Sequence, residues 1–260
     1  MSAGMRFSVI TVTRNSEAVL ARAMASLQRQ SFADYEWIVV DGASQDDTVA
    51  VAQRFDAAPM QLVSESDSGI YDAMNKGVRR ARGEYLYFLN SDDTLADPAV
   101  LERANEAIEA TGQPELLIGR VRAVGARQTL LRDYSHINAR NLLFDSLCHQ
   151  AAFARRDTFA RYGMFDARYQ LAADFDWFAR VLRGGAVAAF TSLTIADFST
   201  QGAHAKAADI TRAETRRIRR AHAGRLERAW SYALAWTRHK GRRVLGLQAK
   251  GRLALIDPAK

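Results

Sequence analysis

The sequence predicts an α/β fold with a mostly parallel central sheet that carries helices on its faces. Two observations lead to this prediction. Within about the first 90 residues, short runs rich in β-branched and aromatic residues alternate with segments whose apolar residues recur at helical spacing. Such alternation is typical of parallel strands that are joined by crossover helices.

Strands and helices alternate strictly through the amino-terminal part of the chain. The run FSVITVT is β-branched and predicts the first strand, while Leu20, Met24 and Leu27 recur at the spacing of one helix face. Gly83, a residue type that commonly ends helices, precedes the fourth strand. In chain order, the predicted elements are strand 7–13, helix 16–30, strand 35–40, helix 48–55, strand 61–63, helix 70–82 and strand 85–89.

The pattern is weaker in the second half of the chain. Asp97 and Pro98 resemble a helix cap and first turn, which predicts a helix that ends before Gly112. Asp174 is expected at the amino terminus of a later helix, where a carboxylate is favoured in any case. The remaining predictions are a short helix at 157–161 and weaker strands at 116–119, 121–124 and 129–131, which could add antiparallel to the sheet.

Polar and acidic residues follow each of the four amino-terminal strands. These residues are Thr13 to Asn15, Asp41, Glu65 to Asp67 and Asn90 to Asp93. Because ligands of open α/β sheets bind beyond the carboxyl ends of the strands, the four ends together predict a ligand site. Asp41 taken alone is more typical of a turn.

The segment GEYLYFLNSDD, residues 83–93, indicates the chemistry of that site. Asp92 and Asp93 are adjacent carboxylates after a predicted core strand, where burial and mutual repulsion make ionisation costly. Mg²⁺ or Mn²⁺ would offset this cost, since such ions often use one or two carboxylates together with substrate phosphates. The alternative is a polar turn in which Asp92 or Asp93 caps the next segment. No Gly-rich phosphate loop is present, so a bound nucleotide would depend on metal and side chains.

Composition is typical of a soluble globular protein, with 48% hydrophobic and 25% charged residues. No apolar run approaches the roughly 18 residues of a membrane helix, and the start of the sequence predicts no signal peptide. Cys148 is the only cysteine, which excludes an intramolecular disulfide and a Cys-based metal cluster. These features predict a cytoplasmic protein.

The net charge of +7 is concentrated near the carboxyl end of the chain. Residues 212–252 contain 13 Lys or Arg and 2 Asp or Glu, a net charge of +11, which leaves −4 for the remainder. Basic residues interleaved with Trp230 and Trp236 suit a helix on an anionic membrane surface. The same residues would also suit binding to nucleic acid, but the acidic charge of the rest of the chain makes this the weakest interpretation. A third alternative is a solvated helix that packs back on the domain. We predict a main domain at 1–200 and a basic, helical extension at 201–260.

Six short segments occur in a consistent order and at consistent spacing. They are SVITVTRN, WIVVDGASQDDT, SESDSGIYDAMNKG, GEYLYFLNSDD, HQAAF and AADFDW. Together they resemble the family 2 glycosyltransferases, which have the nucleotide-sugar-binding GT-A fold. The resemblance extends from Phe7 to Phe198, and it is strongest to bacterial enzymes that build polysaccharides or glycolipids.

The resemblance implies a nucleotide-sugar site at the strand ends. The residues implied are Thr13 and Asn15 at the nucleotide, Asp41 at the base or ribose, Asp67 near the nucleobase, and Asn90 and Asp92 beside the nucleotide sugar. Asp93 is the implied ligand of Mg²⁺ or Mn²⁺. Ser91 stands where the family's Asp-X-Asp motif has its first acidic residue, which leaves a site with one carboxylate.

The resemblance also implies the catalytic residues. Asp174 matches the family's catalytic base, with Asp176 as the nearby alternative, and His149 would approach the diphosphate or the acceptor. Asn75 and Lys76 belong to a recurrent motif to which we assign no role. A metal that stabilises the departing diphosphate and a carboxylate that takes the acceptor proton suffice for one inverting displacement.

We therefore expect an inverting glycosyltransferase that uses a UDP-sugar, a divalent metal and a saccharide or lipid-linked acceptor at the inner face of the cell membrane. Two alternatives stay open. A sugar nucleotidylyltransferase would need a Gly-rich, basic loop after the first strand, where this chain has TVTRNSEA. A non-enzymatic membrane- or nucleic-acid-binding protein would use the basic extension, and Asp93 and Asp174 would then be structural.

Overall fold

A computed structural model describes residues 5–125, 128–199, 207–224 and 253–255. Over these residues the chain is a mixed α/β structure in which helices flank a central sheet. This confirms the predicted fold class. The strands are β1 (Phe7–Thr13), β2 (Tyr35–Asp41), β3 (Met60–Ser64), β4 (Tyr85–Phe88), β5 (Thr94–Leu95), β6 (Leu116–Val124), β7 (Thr129–Arg132), β8 (Ala152–Arg155), β9 (Ala188–Ser199) and β10 (Leu253–Leu255). The helices are α1 (Glu17–Gln28), α2 (Thr48–Ala52), α3 (Ile70–Arg80), α4 (Val100–Ala110), α5 (Asp157–Tyr162), α6 (Ala173–Arg183) and α7 (Ala208–His222), with a 3₁₀ turn at His149–Ala151.

The sheet is parallel in its amino-terminal half and mixed beyond it. Within the described residues the strand order is β10-β7-β6-β8-β4-β1-β2-β3, and β9 lies beside β6 and β5. β3, β2, β1 and β4 pair in parallel. β8 runs antiparallel between β4 and β6 and thereby joins the parallel strands to the mixed part of the sheet.

The parallel strands form the centre of the hydrophobic core. Every residue of β1, β2 and β4 is buried. Helices on the faces of the sheet contribute Leu20 and Leu27 from α1 and Met74 from α3 to the same core. Burial on both faces explains why these strands appear in the sequence as nearly continuous apolar runs.

The register of the parallel strands brings their polar ends together. Thr13 is paired with Asp41, and Asp41 is paired with Ser64. β4 is held in line with β1, since the Leu89 N–H donates a 2.9 Å hydrogen bond to the Ile10 carbonyl. The loops after β1 to β4 therefore leave the sheet at one edge.

One continuous strand replaces the two strands predicted at 116–119 and 121–124. β6 passes through Gly119, and its register against β9 shifts on either side of Arg120, which indicates a β-bulge. A Cβ atom on Gly119 would lie 2.6 Å from the Leu193 carbonyl oxygen. Glycine therefore permits the close approach of β9 and does not end the strand.

Other differences concern short or partly exposed elements. The sequence pattern does not predict β5, β8 or β9. The predicted helix start at Asp97 and Pro98 is wrong, because α4 begins at Val100. The Asp97 carboxylate instead accepts the Ala99 N–H at 2.9 Å and stabilises a turn before the helix.

α7 lies in the predicted extension 201–260 and packs against α6. Its Ile218 is fully buried and belongs to the hydrophobic core. The division predicted at residue 200 stays a prediction, and Trp230 and Trp236 lie outside the described residues. Within the described ranges, no helix combines the length and the apolar character needed to cross a membrane.

Candidate functional site

Asp41 organises the loops that follow β2 and β3. Its carboxylate is fully buried and accepts hydrogen bonds from the Ser44 N–H at 2.9 Å, from the Ser64 hydroxyl at 2.6 Å and from the Ser44 hydroxyl. The Ser64 bond joins the ends of two neighbouring strands. Asp41 therefore fixes the shape of this edge, and its buried carboxylate is already well supplied with donors.

Asn15 connects the loop after β1 to the loop after β2. Its backbone adopts the left-handed conformation, with φ of 49°, which asparagine tolerates better than most residues. The Asn15 N–H donates to the Ser44 hydroxyl at 2.8 Å, and the Asn15 side-chain oxygen accepts the Gln45 N–H at 2.9 Å. Two of the four strand-end loops are thus locked to each other.

Asp67 reaches the same place from the loop after β3. A Cβ atom on Gly42 would lie 2.5 Å from Asp67 Oδ2 and 3.4 Å from the Arg14 side chain. The carboxylate and the arginine therefore both lie close over the Gly42 backbone. The other carboxylate oxygen of Asp67 accepts the Gly69 N–H at 2.9 Å, which holds the loop in position ahead of α3.

Two buried polar atoms near the strand ends have no hydrogen-bond partner among the described residues: the Thr13 hydroxyl oxygen and the Asn90 side-chain oxygen. A buried polar group without a partner costs roughly 1–3 kcal/mol. A bound polar ligand would recover that free energy. Both residues belong to the predicted nucleotide-sugar site.

Asp93 is a nearly enclosed carboxylate in the loop after β4, with 2% of its surface exposed. Burial, and next the negative charge of Asp92, raise the pKa of Asp93 from 3.8 to about 7. The Gln150 side-chain amide donates to its Oδ2 at 3.1 Å. The ionised form of Asp93 is therefore poorly compensated by the protein itself.

The environment of Asp93 fits a divalent cation that is shared with a ligand. No group of three or more His, Cys, Asp or Glu side chains capable of holding a metal occurs within the described ranges. A cation here would need Asp93, water and ligand oxygens, which is a common arrangement for Mg²⁺. The buried carboxylate and its raised pKa are what such a cation would offset.

Asp174 lies in the first turn of α6 and is 7% exposed. The Tyr71 hydroxyl donates to its Oδ1 at 3.0 Å, and His149 Nδ1 lies 3.1 Å from its Oδ2. The other ring nitrogen of His149 lies 3.0 Å from the Asn90 side-chain amide nitrogen. Because that amide can only donate, this geometry assigns the ring proton to Nδ1, facing Asp174.

Asp176 faces a different part of the molecule. Its carboxylate pairs with Arg180 at 2.9 Å and with His222 of α7, also at 2.9 Å. Burial alone would raise the pKa of Asp176, but the hydrogen bonds from His222 and Arg180 outweigh burial and hold the pKa below its ordinary value. The two candidate bases thus differ in their partners. Each carboxylate lies beside a histidine, but Asp176 also pairs with the Arg180 guanidinium, whereas Asp174 accepts a hydrogen bond from the Tyr71 hydroxyl.

Sequence reasoning missed Tyr71 and Gln150 as members of this cluster. Tyr71 lies in the segment SESDSGIYDAMNKG and Gln150 in HQAAF, but neither residue type has a characteristic spacing that would predict its contact. Asn75 and Lys76 hold the backbone of neighbouring segments. Asn75 exchanges hydrogen bonds of 2.9 and 3.0 Å with the Phe165 backbone, and Lys76 donates to the Ser66 carbonyl at 2.7 Å.

Comparison with known proteins gives a consistent result. The model of the family described as glycosyl transferase family 2 matches residues 8–164. A PGL/p-HBAD biosynthesis glycosyltransferase of Mycobacterium tuberculosis is 35% identical over 203 residues, which cover 75% of this chain and 77% of the relative. A GalNAc(5)-diNAcBac-PP-undecaprenol beta-1,3-glucosyltransferase of Campylobacter jejuni is 36% identical over 108 residues, which cover 39% of this chain and 35% of that protein.

Solved structures share the fold. TarS of S. aureus (residues 1–349), in a structure with UDP-GlcNAc, has a TM-score of 0.66 at 20% identity, and the match covers 78% of this chain and 61% of the TarS chain in that structure. The mannosyltransferase PcManGT of Pyrobaculum calidifontis, in a structure with GDP-Man and Mn²⁺, has a TM-score of 0.60 at 21% identity, with coverage of 79% and 60%. The chain therefore spans about three fifths of each of these two structures.

Proposed function

The chain belongs to glycosyl transferase family 2 and is a glycosyltransferase, and we propose that it is an inverting enzyme that transfers a sugar from a UDP-sugar to a hydroxyl group. One observation carries this proposal. His149 and Gln150 are neighbours on a single 3₁₀ turn; His149 contacts Asp174, and Gln150 contacts Asp93. The proposed base and the proposed metal ligand thus lie on the two sides of one turn.

The donor half of the proposed site is the edge formed by the loops after β1 to β4. Thr13, Asn15 and Asp67 would surround the nucleoside, and the buried Asp41 would hold the loops behind it through Ser44 and Ser64. The unpartnered oxygens of Thr13 and Asn90 would complete their hydrogen bonds with the nucleotide sugar. Structural neighbours with UDP-GlcNAc and GDP-Man support a nucleotide-sugar donor. Of the two, we propose UDP rather than GDP as the nucleotide of the donor.

Asp93 would hold Mg²⁺ or Mn²⁺ together with the donor phosphates. Asp92 would lie next to the cation and these phosphates. The cation would supply positive charge to the departing diphosphate. Support comes from the buried, weakly compensated carboxylate of Asp93 and from the Mn²⁺ present in one structural neighbour.

Asp174 would act as the general base. The acceptor oxygen forms a bond to the anomeric carbon, the bond from that carbon to the diphosphate breaks, and the acceptor proton passes to the Asp174 carboxylate. A single in-line displacement inverts the anomeric centre and needs no second carboxylate as nucleophile. Tyr71 and His149 donate to the two oxygens of Asp174 and would hold the carboxylate towards the acceptor.

The acceptor we propose is a saccharide or a lipid-linked saccharide, within polysaccharide or glycolipid biosynthesis at the inner face of the cell membrane. Names of relatives that include PGL/p-HBAD biosynthesis and PP-undecaprenol support this choice. The basic segment 212–252 would contact the anionic membrane surface.

Calorimetric titration of UDP and GDP into the protein, with and without Mn²⁺, tests the donor half of the proposal. We expect UDP binding that depends on Mn²⁺ and that is lost in Asp93→Ala. The matched control is Asp209→Ala, which removes a carboxylate from the exposed first turn of α7. Absence of nucleotide binding under every condition would contradict the proposal, and tighter binding of GDP than of UDP would contradict the choice of nucleotide.

A further inference from the structure

Glu214 of α7 binds three consecutive backbone N–H groups at the start of α6. Its Oε1 accepts the Gln170 N–H at 2.6 Å, and its Oε2 accepts those of Leu171 at 2.9 Å and Ala172 at 3.0 Å. Hydrogen bonds to an ionised acceptor are shorter and stronger than those between neutral groups. One carboxylate therefore fixes the whole segment that leads into α6.

The segment that Glu214 holds is directly continuous with the proposed base. Ala172 is the N-cap residue of α6, and Asp174 follows two residues later in the first turn. The Ala172 carbonyl accepts the Asp176 N–H at 3.1 Å, which begins the hydrogen bonding of the helix. The orientation of this first turn therefore sets the direction of the Asp174 side chain.

A second set of contacts attaches α7 to α6 further along both helices. His222 pairs with Asp176 at 2.9 Å, and Ile218, which lies between Glu214 and His222 on α7, is fully buried. Arg217 lies 5.6 Å above the centre of the Tyr169 ring. The contacts made by Glu214, Arg217 and His222 reach residues 169–176, so the second half of α7 holds this segment.

We propose that Glu214 is a positioning residue for the transfer reaction, and that it acts by holding the first turn of α6 so that Asp174 faces the acceptor. This inference rests on the proposed function, in which Asp174 is the base. Glu214 itself bonds to the backbone of residues 170–172 and would act on the reaction through Asp174. The loops proposed for the donor come from β1 to β4 and do not include the segment that Glu214 binds, so donor binding should be independent of Glu214.

The first test is the release of UDP from UDP-glucose, UDP-galactose and UDP-N-acetylglucosamine, with water as the acceptor, by Glu214→Ala and Glu214→Gln. Displacement of a catalytic group by about 1 Å can lower a rate by roughly 100-fold. We expect kcat to fall about 10- to 100-fold in Glu214→Ala and by less in Glu214→Gln, which keeps one acceptor oxygen. The Kd for UDP with Mn²⁺ should stay within about twofold of wild type, and Asp209→Ala should leave kcat unchanged.

The Asp174→Asn background separates positioning from a purely structural role. If Glu214 acts through Asp174, adding Glu214→Ala to Asp174→Asn should lower the residual rate by less than about twofold, because residues that act as a unit are not additive. If Glu214→Ala lowers the rate of Asp174→Asn by as large a factor as it lowers the rate of the wild type, the inference is overturned. An unchanged kcat in folded Glu214→Gln and Glu214→Ala also overturns it, whereas a normal rate in Asp174→Asn overturns the proposed base.

Hydrogen–deuterium exchange tests the contact without any substrate. In Glu214→Ala, and more weakly in Glu214→Gln, the amides of residues 170–172 should exchange faster, while peptides from β1 and β2 should keep their wild-type rates. If Glu214→Ala does not fold, the exchange of residues 170–172 is compared between Glu214→Gln and wild type instead. Unchanged exchange at 170–172 in a folded variant overturns the inference.

Discussion

At the scale of single residues, Asp93 shows how a buried carboxylate lowers the stability of the protein that carries it. The carboxylate is enclosed, lies near Asp92 and receives one side-chain hydrogen bond, from Gln150. Its folded-state pKa of about 7 lies above the ordinary value of 3.8. The folded protein therefore binds the Asp93 proton more tightly than the unfolded chain does.

This difference predicts the effect of pH on the metal-free protein. The contribution of Asp93 to stability is fully present below the unfolded pKa of 3.8 and is lost as the pH rises to the folded value of about 7. The loss should approach about 4 kcal/mol at pH 8. Asp93→Asn does not ionise, so urea unfolding should show a larger stability gain from this variant at pH 8 than at pH 5. An equal effect at both pH values would contradict the raised pKa.

Asp174 and Asp176 should respond differently to the same substitution. Asp174→Asn should reduce transfer to a small residual rate and leave the Kd for UDP largely unchanged. Asp176→Asn should retain transfer but lower the free energy of unfolding by about 1–3 kcal/mol, because it weakens the charge-assisted bonds to Arg180 and His222. UDP release and thermal unfolding of both variants measure the contrast. Loss of transfer only in the Asp176 variant would assign the base to Asp176 instead.

At the scale of elements, the loops after β2 and β3 meet so closely that one methyl group should disturb the donor site we propose. In Gly42→Ala the new Cβ would lie 2.5 Å from Asp67 Oδ2, and the Asp67 side chain would have to move. Loss of a hydrogen bond to a charged group costs about 1.5–3 kcal/mol, so UDP should bind roughly 10- to 100-fold more weakly. Calorimetry measures this change.

Asp67→Ala is the matched control for Gly42→Ala. It should weaken UDP binding to a similar extent, and Gly42→Ala should have little further effect in the Asp67→Ala background. Additive losses would show that the methyl group acts on the backbone or on Arg14 and not through the Asp67 carboxylate.

The amino-terminal half of the fold could be predicted from the sequence because its strands are buried on both faces. β1 and β2 leave continuous β-branched and apolar runs in the sequence, and their bounds match the prediction closely. β9 leaves no such pattern, since most of its residues are only partly buried and its pairing depends on the glycine at 119. β5 has two residues, too few for any period to be detected.

The candidate site was predictable only where residue type and local spacing carry the signal. Two carboxylates after a core strand mark Asp93, and the motif AADFDW marks Asp174. Tyr71 lies 103 positions from Asp174 along the chain, and Gln150 lies 57 positions from Asp93. Contacts at such separations follow from the packing of the finished fold, and no local pattern in the sequence reports them.

At the scale of the whole molecule, α7 presents different chemistry on its two sides. Glu214, Ile218 and His222 face α6 and its preceding segment, while Arg212, Arg216 and Arg220 are exposed at intervals of four residues. Residues four apart lie on one helix face, so the three arginines form a basic stripe. This stripe is the described part of the surface that we propose meets the membrane.

Flotation with vesicles tests the basic stripe. Replacing Arg212, Arg216 and Arg220 together by Gln should reduce flotation with phosphatidylglycerol vesicles at low salt, because each basic residue near an anionic surface contributes about 1 kcal/mol. Vesicles of phosphatidylcholine should recover little of either protein. The charge-matched control replaces three exposed arginines of α1 and its surroundings, Arg22, Arg29 and Arg54, by Gln. Equal reduction by both triple variants would show only an effect of net charge.

The short turn at His149–Ala151 has a consequence for how the two substrates influence each other. A single peptide bond joins Gln150, which contacts Asp93, to His149, which contacts Asp174. A shift of Gln150 on donor binding would therefore reach His149 directly, and the donor and acceptor sites would communicate. Such coupling is reciprocal: a donor that tightens acceptor binding by some factor is itself held more tightly by the same factor once the acceptor is bound. A positive coupling of this kind would make the enzyme hold both substrates together more often than two independent sites would.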